Sequence, residues 1–453
     1  MIKYDFEAGF SRVNVNPMLG IAISGYYKPR FAEGILDDLE INAVALRKGG
    51  NTVVLLTIDN CEIKSDVLDV YREEIAKATG ISAAAVFIHA THTHTGPNLC
   101  SPETAESDYE KEYYLFVKRR MADAAKMAFD DLKPAAMGIG VGKAENVAFL
   151  RRFLMKDGSI KTNPGVNNPD IVKPIGIVDE RVNVIRIDRE NAESIIIVNF
   201  GNHPDTVGGN LISADWPGFT RRKVEKALDN VKCVFFNGAQ GDVNHVNVHP
   251  KGGDLNDMFM DFDDVSRGYG HARHLGNVMA ASVLQVFDKV EYITVEKIKY
   301  MQKKVGIPSN MPDPSDMPKA YEIEKLHQEG KDELIPFKGM MLTTVVAEAE
   351  RMIRLEHGPA EFPLLFSAIA IGDVVFFGIP GEPFTPIGVE LKKAKGWKAV
   401  LPCCLTNSSD GYFPMKDSYD EGGYEARSSS FKAGVAELII KNGLEILDEI
   451  RKN

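Results

Sequence analysis

Four short runs in this chain pass from apolar residues directly into a polar turn. Together they offer histidines and carboxylates in the contexts that metal chemistry uses. Val86-Phe-Ile-His-Ala-Thr-His-Thr-His-Thr-Gly-Pro97 brings His92 and His94 to a turn closed by Gly96 and Pro97. Asn199-Phe-Gly-Asn-His-Pro-Asp205 brings His203, Phe236-Asn-Gly-Ala-Gln-Gly-Asp242 brings Asp242, and Phe377-Gly-Ile-Pro-Gly-Glu382 brings Glu382. Neutral imidazole is the commonest side-chain metal ligand. Two histidines and a carboxylate with one position left open form the usual catalytic zinc arrangement. A zinc ion so held polarises a carbonyl and lowers the pKa of its water toward ~7.

Each residue alone also has a plainer reading. His92 and His94 alternate, so one could be a core histidine and the other a turn residue. His203 could be a loop histidine held by its neighbours. Glu382 precedes Pro383, Phe384 and Thr385, with Ile387, Leu391 and Ala394 at helical spacing, so it could serve a helix N-terminus. Arg151, in Phe149-Leu-Arg-Arg-Phe153, could be a substrate or oxyanion clamp, or an exposed ion pair. His271 and His274 sit among Arg273, Leu275, Met279 and Leu284, the pattern of an ordinary amphipathic helix. His245 and His249 fall in a loop rich in Gly, Asn and Asp. Gly138-Ile-Gly-Val-Gly142 has the wrong spacing for a dinucleotide fingerprint. Recurrence of one context at four junctions favours the metal reading.

The elements that must position these side chains alternate between strand and helix. Thr52–Ile58, Val86–Ala90, Ile195–Phe200, Val234–Phe236, Ile369–Ile371 and Val374–Phe377 read as buried strands. Helices are expected from a cap at Ser65 to Thr79 with Gly80 beyond, over Asp108–Leu132, from a cap at Asp215 to Leu228, and over Thr343–Leu355. The pattern predicts an α/β fold: one large catalytic domain over 1–453, mixed sheets flanked by helices, and the site on loops at strand C-terminal ends. Residues 307–340, with Met311-Pro-Asp-Pro-Ser-Asp-Met-Pro318, read as a surface insertion.

Of 453 residues, 44% are hydrophobic and 26% charged, and the formal net charge is −11. An acidic chain without Lys/Arg blocks argues against nucleic acid and anionic membranes as partners. Five irregularly spaced cysteines give no disulfide framework. No apolar run reaches ~18 residues, which argues against stable membrane insertion. The N-terminus has no signal-peptide core, which points to the cytoplasm, or to the periplasm or exterior had a leader been removed.

The ordered blocks resemble the neutral, non-lysosomal ceramidase family of zinc amidases. They are the His92/His94 run, Asn-Phe-Gly-Asn-His203-Pro, Gly-Asp242-Val, Ile-Pro-Gly-Glu382, and Asn407-Ser-Ser-Asp-Gly-Tyr412 with Tyr424-Glu-Ala beyond it. The opening Ala8-Gly-Phe-Ser-Arg-Val-Asn-Val-Asn-Pro17 and Ser213-Ala-Asp-Trp-Pro-Gly218 also look like that family. The resemblance implies a Zn2+ ion held by His92, His203, Glu382 and Tyr412, with His94, Arg151 and Tyr424 at the reaction centre. It implies attack of activated water on the amide carbonyl of a small-molecule or lipid-like substrate. Asp242, Asn244 and His245 would border the pocket.

Two departures bear on substrate. The family carries Ser where Asn244 stands, and no strand-rich segment for its C-terminal β-sandwich follows the last block. The readings are therefore a zinc amidase, a hydrolase of a small polar amide, lactam or ester other than ceramide, and a metal-binding module without catalysis.

Overall fold

The structure is a computed structural model that describes residues 3–452. Its larger sheet has nine strands. Eight lie in the order β8-β7-β6-β5-β1-β2-β3-β4: β1 Phe6–Asn14, β2 Glu40–Lys48, β3 Asn51–Ile58, β4 Val86–Ala90, β5 Lys133–Lys143, β6 Arg181–Arg189, β7 Ser194–Phe200 and β8 Val231–Asn237. A short strand, Glu291–Ile293, also pairs with β5. The smaller sheet runs β9-β10-β11-β12: Ile298–Pro308, Glu361–Ile371, Val374–Gly378 and Ala399–Cys403. Most neighbours are antiparallel. The parallel pairs are β3–β4 and β7–β8 in the larger sheet and β11–β12 in the smaller.

The apolar runs are continuous because these strands are buried on both faces. In β3, Val53 and Leu55 face one cluster and Val54, Leu56 and Ile58 another. In β7, Ile195 and Ile197 face inward while Ile196, Val198 and Phe200 face out. The inward cluster also takes Ile369, Val374, Phe376 and Leu401 from the smaller sheet, so it is the layer between the sheets. Helices α1 Ser65–Thr79, α2 Asp108–Asp130, α3 Asp215–Ala227 and α4 Tyr269–Phe287 cover the outer face of the larger sheet. The C-terminal helix Val435–Lys452 covers the smaller one. The mixed α/β architecture with helices flanking a large sheet is as expected.

Local details correct several expectations. Helix α1 begins at Ser65, with Lys64 as its N-cap, and the Ser65 side chain makes no cap; Gly80 closes the helix at φ 76°. Helix α2 is held by a capping box between Ser107 and Glu110. Asp215 is the first residue of α3, at φ 53°, and the cap position is Ala214. Its carboxylate instead accepts from the Thr206 and Val207 amides, which pins the loop after His203. Gly138, Gly140 and Gly142 lie within β5, and a Cβ on Gly142 would come 2.6 Å from the Ser282 carbonyl of α4, so helix packing explains that glycine.

The stretch 307–340 carries structure of its own. Helix α5, Met317–Gln328, presents Met317, Ala320 and Ile323 to Val345, Val346, Ala349 and Met352 of α6, Gly339–Leu355. Tyr27 also packs on this cluster. The anticipated helix at 343–355 thus starts four residues earlier.

Candidate metal centre

The C-terminal ends of β4, β7 and β11 meet at one point. His92 follows β4 by two residues and sits at φ 77°, a region that non-glycine residues rarely enter. His203 follows β7. Glu382 opens a two-residue strand that pairs in parallel with Tyr412–Phe413, so Glu382 and Tyr412 are register partners. Sites at strand ends where sheet connections diverge are the rule in open α/β folds.

The distances are those of convergence on one point. Glu382 Oε2 lies 3.2 Å from His92 Nε2 and 3.1 Å from His203 Nε2. Tyr412 Oη is 3.3 Å from His203 Nε2. Each ring is oriented from behind. His92 Nδ1 donates to the Cys61 carbonyl at 2.8 Å, and His203 Nδ1 to the carbonyls of Gln240 at 2.9 Å and Val243 at 3.0 Å. Backbone carbonyls that hold Nδ1–H leave Nε2 as the free lone pair, the arrangement behind most metal-bound histidines. Gln240 Nε2 donates to Glu382 Oε2 at 3.1 Å.

These charges fit a divalent cation. Burial pulls His203 down to about 4, and the Arg151 charge adds to it. A neutral His203 points its Nε2 lone pair at a carboxylate oxygen, acceptor against acceptor, unless a cation lies between them. Burial alone would raise Glu382, but His92 and His203 outweigh it and hold the carboxyl well below its usual range. Burial would lower His92, but Glu382 and Cys61 outweigh that and raise it. The donor set of two imidazoles and a carboxylate, with a phenol adjacent, suits zinc.

Around this cluster stand the other expected residues. His94 Nε2 is 3.3 Å from His92 Nε2, and its Nδ1 is 3.6 Å from Asp205. Asp205 is gripped by Arg267 through both oxygens, at 2.8 and 2.7 Å. Gly25 backs the His94 ring: at φ 109° a Cβ there would come within 2.9 Å of the imidazole. Arg151 is buried, which excludes the exposed ion pair. It donates to Glu425 at 2.7 Å and to the Gly241 carbonyl at 2.7 Å, with Nη1 3.3 Å from His203 Nε2. Tyr424 stacks edge-on to Tyr412, with ring centroids 5.5 Å apart.

The residues expected to border the pocket lie elsewhere. A cavity of 570 Å³ opens onto His92, His94, Glu382, Tyr412 and Tyr424, and Asp242, Asn244 and His245 are absent from its wall. Asp242 takes the Thr385 amide and hydroxyl, both at 2.7 Å, at the start of a helix over Thr385–Leu391. Asn244 bonds Asn163, and His245 bonds the Ser266 carbonyl and faces a separate cavity. Other site neighbours carry no mark in the sequence as ligand supports: Cys61, Gln240, Asp205, Arg267 and Glu425. Cys61, His92 and His94 form a second cluster of possible metal ligands among the described residues. His92 Nδ1 is already engaged by the Cys61 carbonyl, so its free nitrogen serves the Glu382 cluster.

No known family pattern and no curated protein sequence matches this chain. Its structure is similar to that of neutral ceramidase from Pseudomonas aeruginosa, with a TM-score of 0.74 at 15% identity, covering 99% of this chain and 75% of that one. A ceramidase structure described as complexed with C2 matches at 0.73 and 16% identity over the same shares. The expected fold is therefore shared with solved ceramidases.

Proposed function

We propose that this protein is a zinc-dependent hydrolase of amide C–N bonds. The observation that carries the reading is the meeting of His92, His203 and Glu382, with both Nε2 atoms within 3.2 Å of one carboxylate oxygen. The ceramidase fold supports it. His92, His203, Glu382 and Tyr412 would hold the ion, which when bound polarises a carbonyl and acidifies water.

The rest of the chemistry falls to the chain's own side chains. Arg151, fixed by Glu425 and the Gly241 carbonyl, stands behind His203 and outside the cavity wall, and would lend positive charge to the reaction centre from there. Tyr424, in the cavity wall beside Tyr412, offers a donor where the amide oxygen becomes negative. His94 is the group for the proton. Burial holds it well below its ordinary pKa, so it is neutral and can accept, and Asp205 behind it stabilises the imidazolium that follows. The water oxygen bonds to the carbonyl carbon, the C–N bond breaks, and the proton passes from His94 to the leaving nitrogen.

Metal analysis of the purified protein tests this directly. One zinc per chain is expected, lost in His92→Ala and in His203→Ala together with amide hydrolysis. Protein without zinc, or variants that retain it, would overturn the assignment. Zinc at full occupancy with no turnover across amides and esters would leave the binding-module reading instead.

A further inference from the structure

The wall of the 570 Å³ cavity bears on what the site hydrolyses, an inference that rests on the amide reading above. Ligand cavities are ordinarily lined mainly by apolar side chains. This wall contains no Leu, Ile, Val or Met; its apolar surface comes from the rings of Tyr26, Tyr27, Phe362, Tyr412, Tyr424 and Phe431, with no aliphatic tunnel. It also contains five carboxylate, ammonium or guanidinium side chains away from the His92/Glu382 cluster: Glu62, Lys64, Glu350, Arg354 and Asp410. A long acyl chain gains from burial only against apolar surface, and here it would strip water from these charges.

The five charges are unevenly satisfied. Lys64 pairs with Glu62 at 3.3 Å and donates to the Ser409 carbonyl at 2.9 Å. Arg354 has no carboxylate within 4.0 Å among the described residues; its one side-chain hydrogen bond, at 2.8 Å, goes to Ser430 Oγ. Guanidinium has five N–H donors, so most remain available. Glu350 and Asp410 likewise have no cation within 4.0 Å among the described residues. Glu350 and Arg354 are four residues apart on α6, hence on one face of the helix. Asp410 lines the same cavity from another segment, its amide on the Pro380 carbonyl, two residues before Tyr412.

One unpaired cation and two unpaired acids in a single cavity call for a ligand that carries both signs. We infer that the substrate is a compact amide with an amino-acid head, its carboxylate taken by Arg354 and its ammonium by Glu350 and Asp410. Bidentate Arg–carboxylate pairing supplies the directional part of the recognition. The scissile amide lies at the other end, toward Glu382.

Nε-acetyl-lysine is the probe, because it joins an amide to a free amino-acid head; hydrolysis gives acetate and lysine. Its binding to the zinc-loaded full chain is measured by calorimetry, and its turnover by lysine release. Arg354→Gln is expected to weaken Nε-acetyl-lysine binding at least tenfold and to change binding of Nε-acetyl-lysinamide, which lacks the carboxylate, less than twofold. Glu350→Gln should show the converse selectivity, weakening Nε-acetyl-lysine but not 6-acetamidohexanoate, which lacks the ammonium. Arg354 and Glu350 are exposed and outside the core, so folding is not at stake. No binding of Nε-acetyl-lysine, equal effects of Arg354→Gln on both probes, or higher kcat/KM on N-acylsphingosine or N-acetylglucosamine would overturn the inference. Selective, Arg354-dependent binding without turnover would uphold it and count against amide hydrolysis. Zinc-dependent turnover indifferent to Arg354 would do the reverse.

Discussion

Two groups of three histidines lie in this molecule, and only one of them converges. His92, His94 and His203 have ring centroids 4.7 to 5.8 Å apart, and Glu382 joins His92 and His203. His245, His271 and His274 are 5.9 Å apart in sequence order, beside a cavity of 480 Å³ bordered by Asp254 and Asp257. In the first group, backbone carbonyls fix the tautomers of His92 and His203. In the second, the Ser266 carbonyl fixes His245 in the same way, but the Nδ1 of His245 and the Nε2 of His271 are buried without partners, and among the described residues no carboxylate meets them. The residue types are nearly the same. What separates the two groups is Glu382, the carboxylate on which the ring nitrogens of the first group meet.

A seventh histidine sharpens the contrast, because it is also tautomer-fixed yet serves only the fold. His89 Nδ1 donates to the Cys404 carbonyl at 2.7 Å, and its Nε2 accepts the Asn237 amide at 2.8 Å, tying the two sheets together. Burial pulls it down to about 3. A folded pKa below the unfolded value of about 6.5 means the unfolded chain takes the proton first. The stability is fully present above pH 6.5 and is lost as pH falls toward 3. Wild-type protein should lose about 2–3 kcal/mol more than His89→Gln between pH 7.5 and pH 4.5, read by denaturant titration. Equal losses in the two proteins would show that His89 is not held neutral.

The next largest effect probes the support behind the His92/His203/Glu382 cluster. Gln240 reaches Glu382 Oε2 and also presents its carbonyl to His203. Gln240→Leu keeps the backbone carbonyl and removes only the amide. Metal affinity is expected to fall about 10–100-fold by competition with a chelator, as for other outer-shell groups. An unchanged affinity would mean that the two histidines orient Glu382 without help.

Gln240 also marks the limit of what the sequence could tell. Strands β3, β4, β7, β8 and β11 were legible, since burial on both faces writes them as unbroken apolar runs. The junction residues His92, His203 and Glu382 were legible for the same reason: each follows such a run by a few residues. Tyr412 came from the resemblance alone, because Glu382–Pro383 and Tyr412–Phe413 form a two-residue pairing too short to leave a pattern. Asp205, Glu425 and Gln240 act through partners far away in sequence, and no local spacing records that. The stretch 307–340 was misleading in another way. Its Pro and charge content speaks of surface, yet Met317, Ala320 and Ile323 form a stripe that seats α5 on α6, and α6 supplies Glu350 and Arg354 to the cavity wall.

The smallest expected effect is the one that would break the comparison. If convergence is what makes a site, His271→Ala should leave zinc content, amide turnover and Arg354-dependent binding as they are. Its ring is only partly buried on α4, whose packing rests on Leu275, Met279 and Val283. Removing a side chain at such a position costs roughly 0.5 kcal/mol or less. Burial already pulls His271 down, with His274 adding to it, so its loss removes a neutral ring with an unpartnered nitrogen. A second zinc in the wild-type protein, lost in His271→Ala and in His245→Ala, would show that two buried lone pairs suffice without a carboxylate. A shared carboxylate oxygen would then cease to be the criterion, and the 480 Å³ cavity would have to be read as a site of its own.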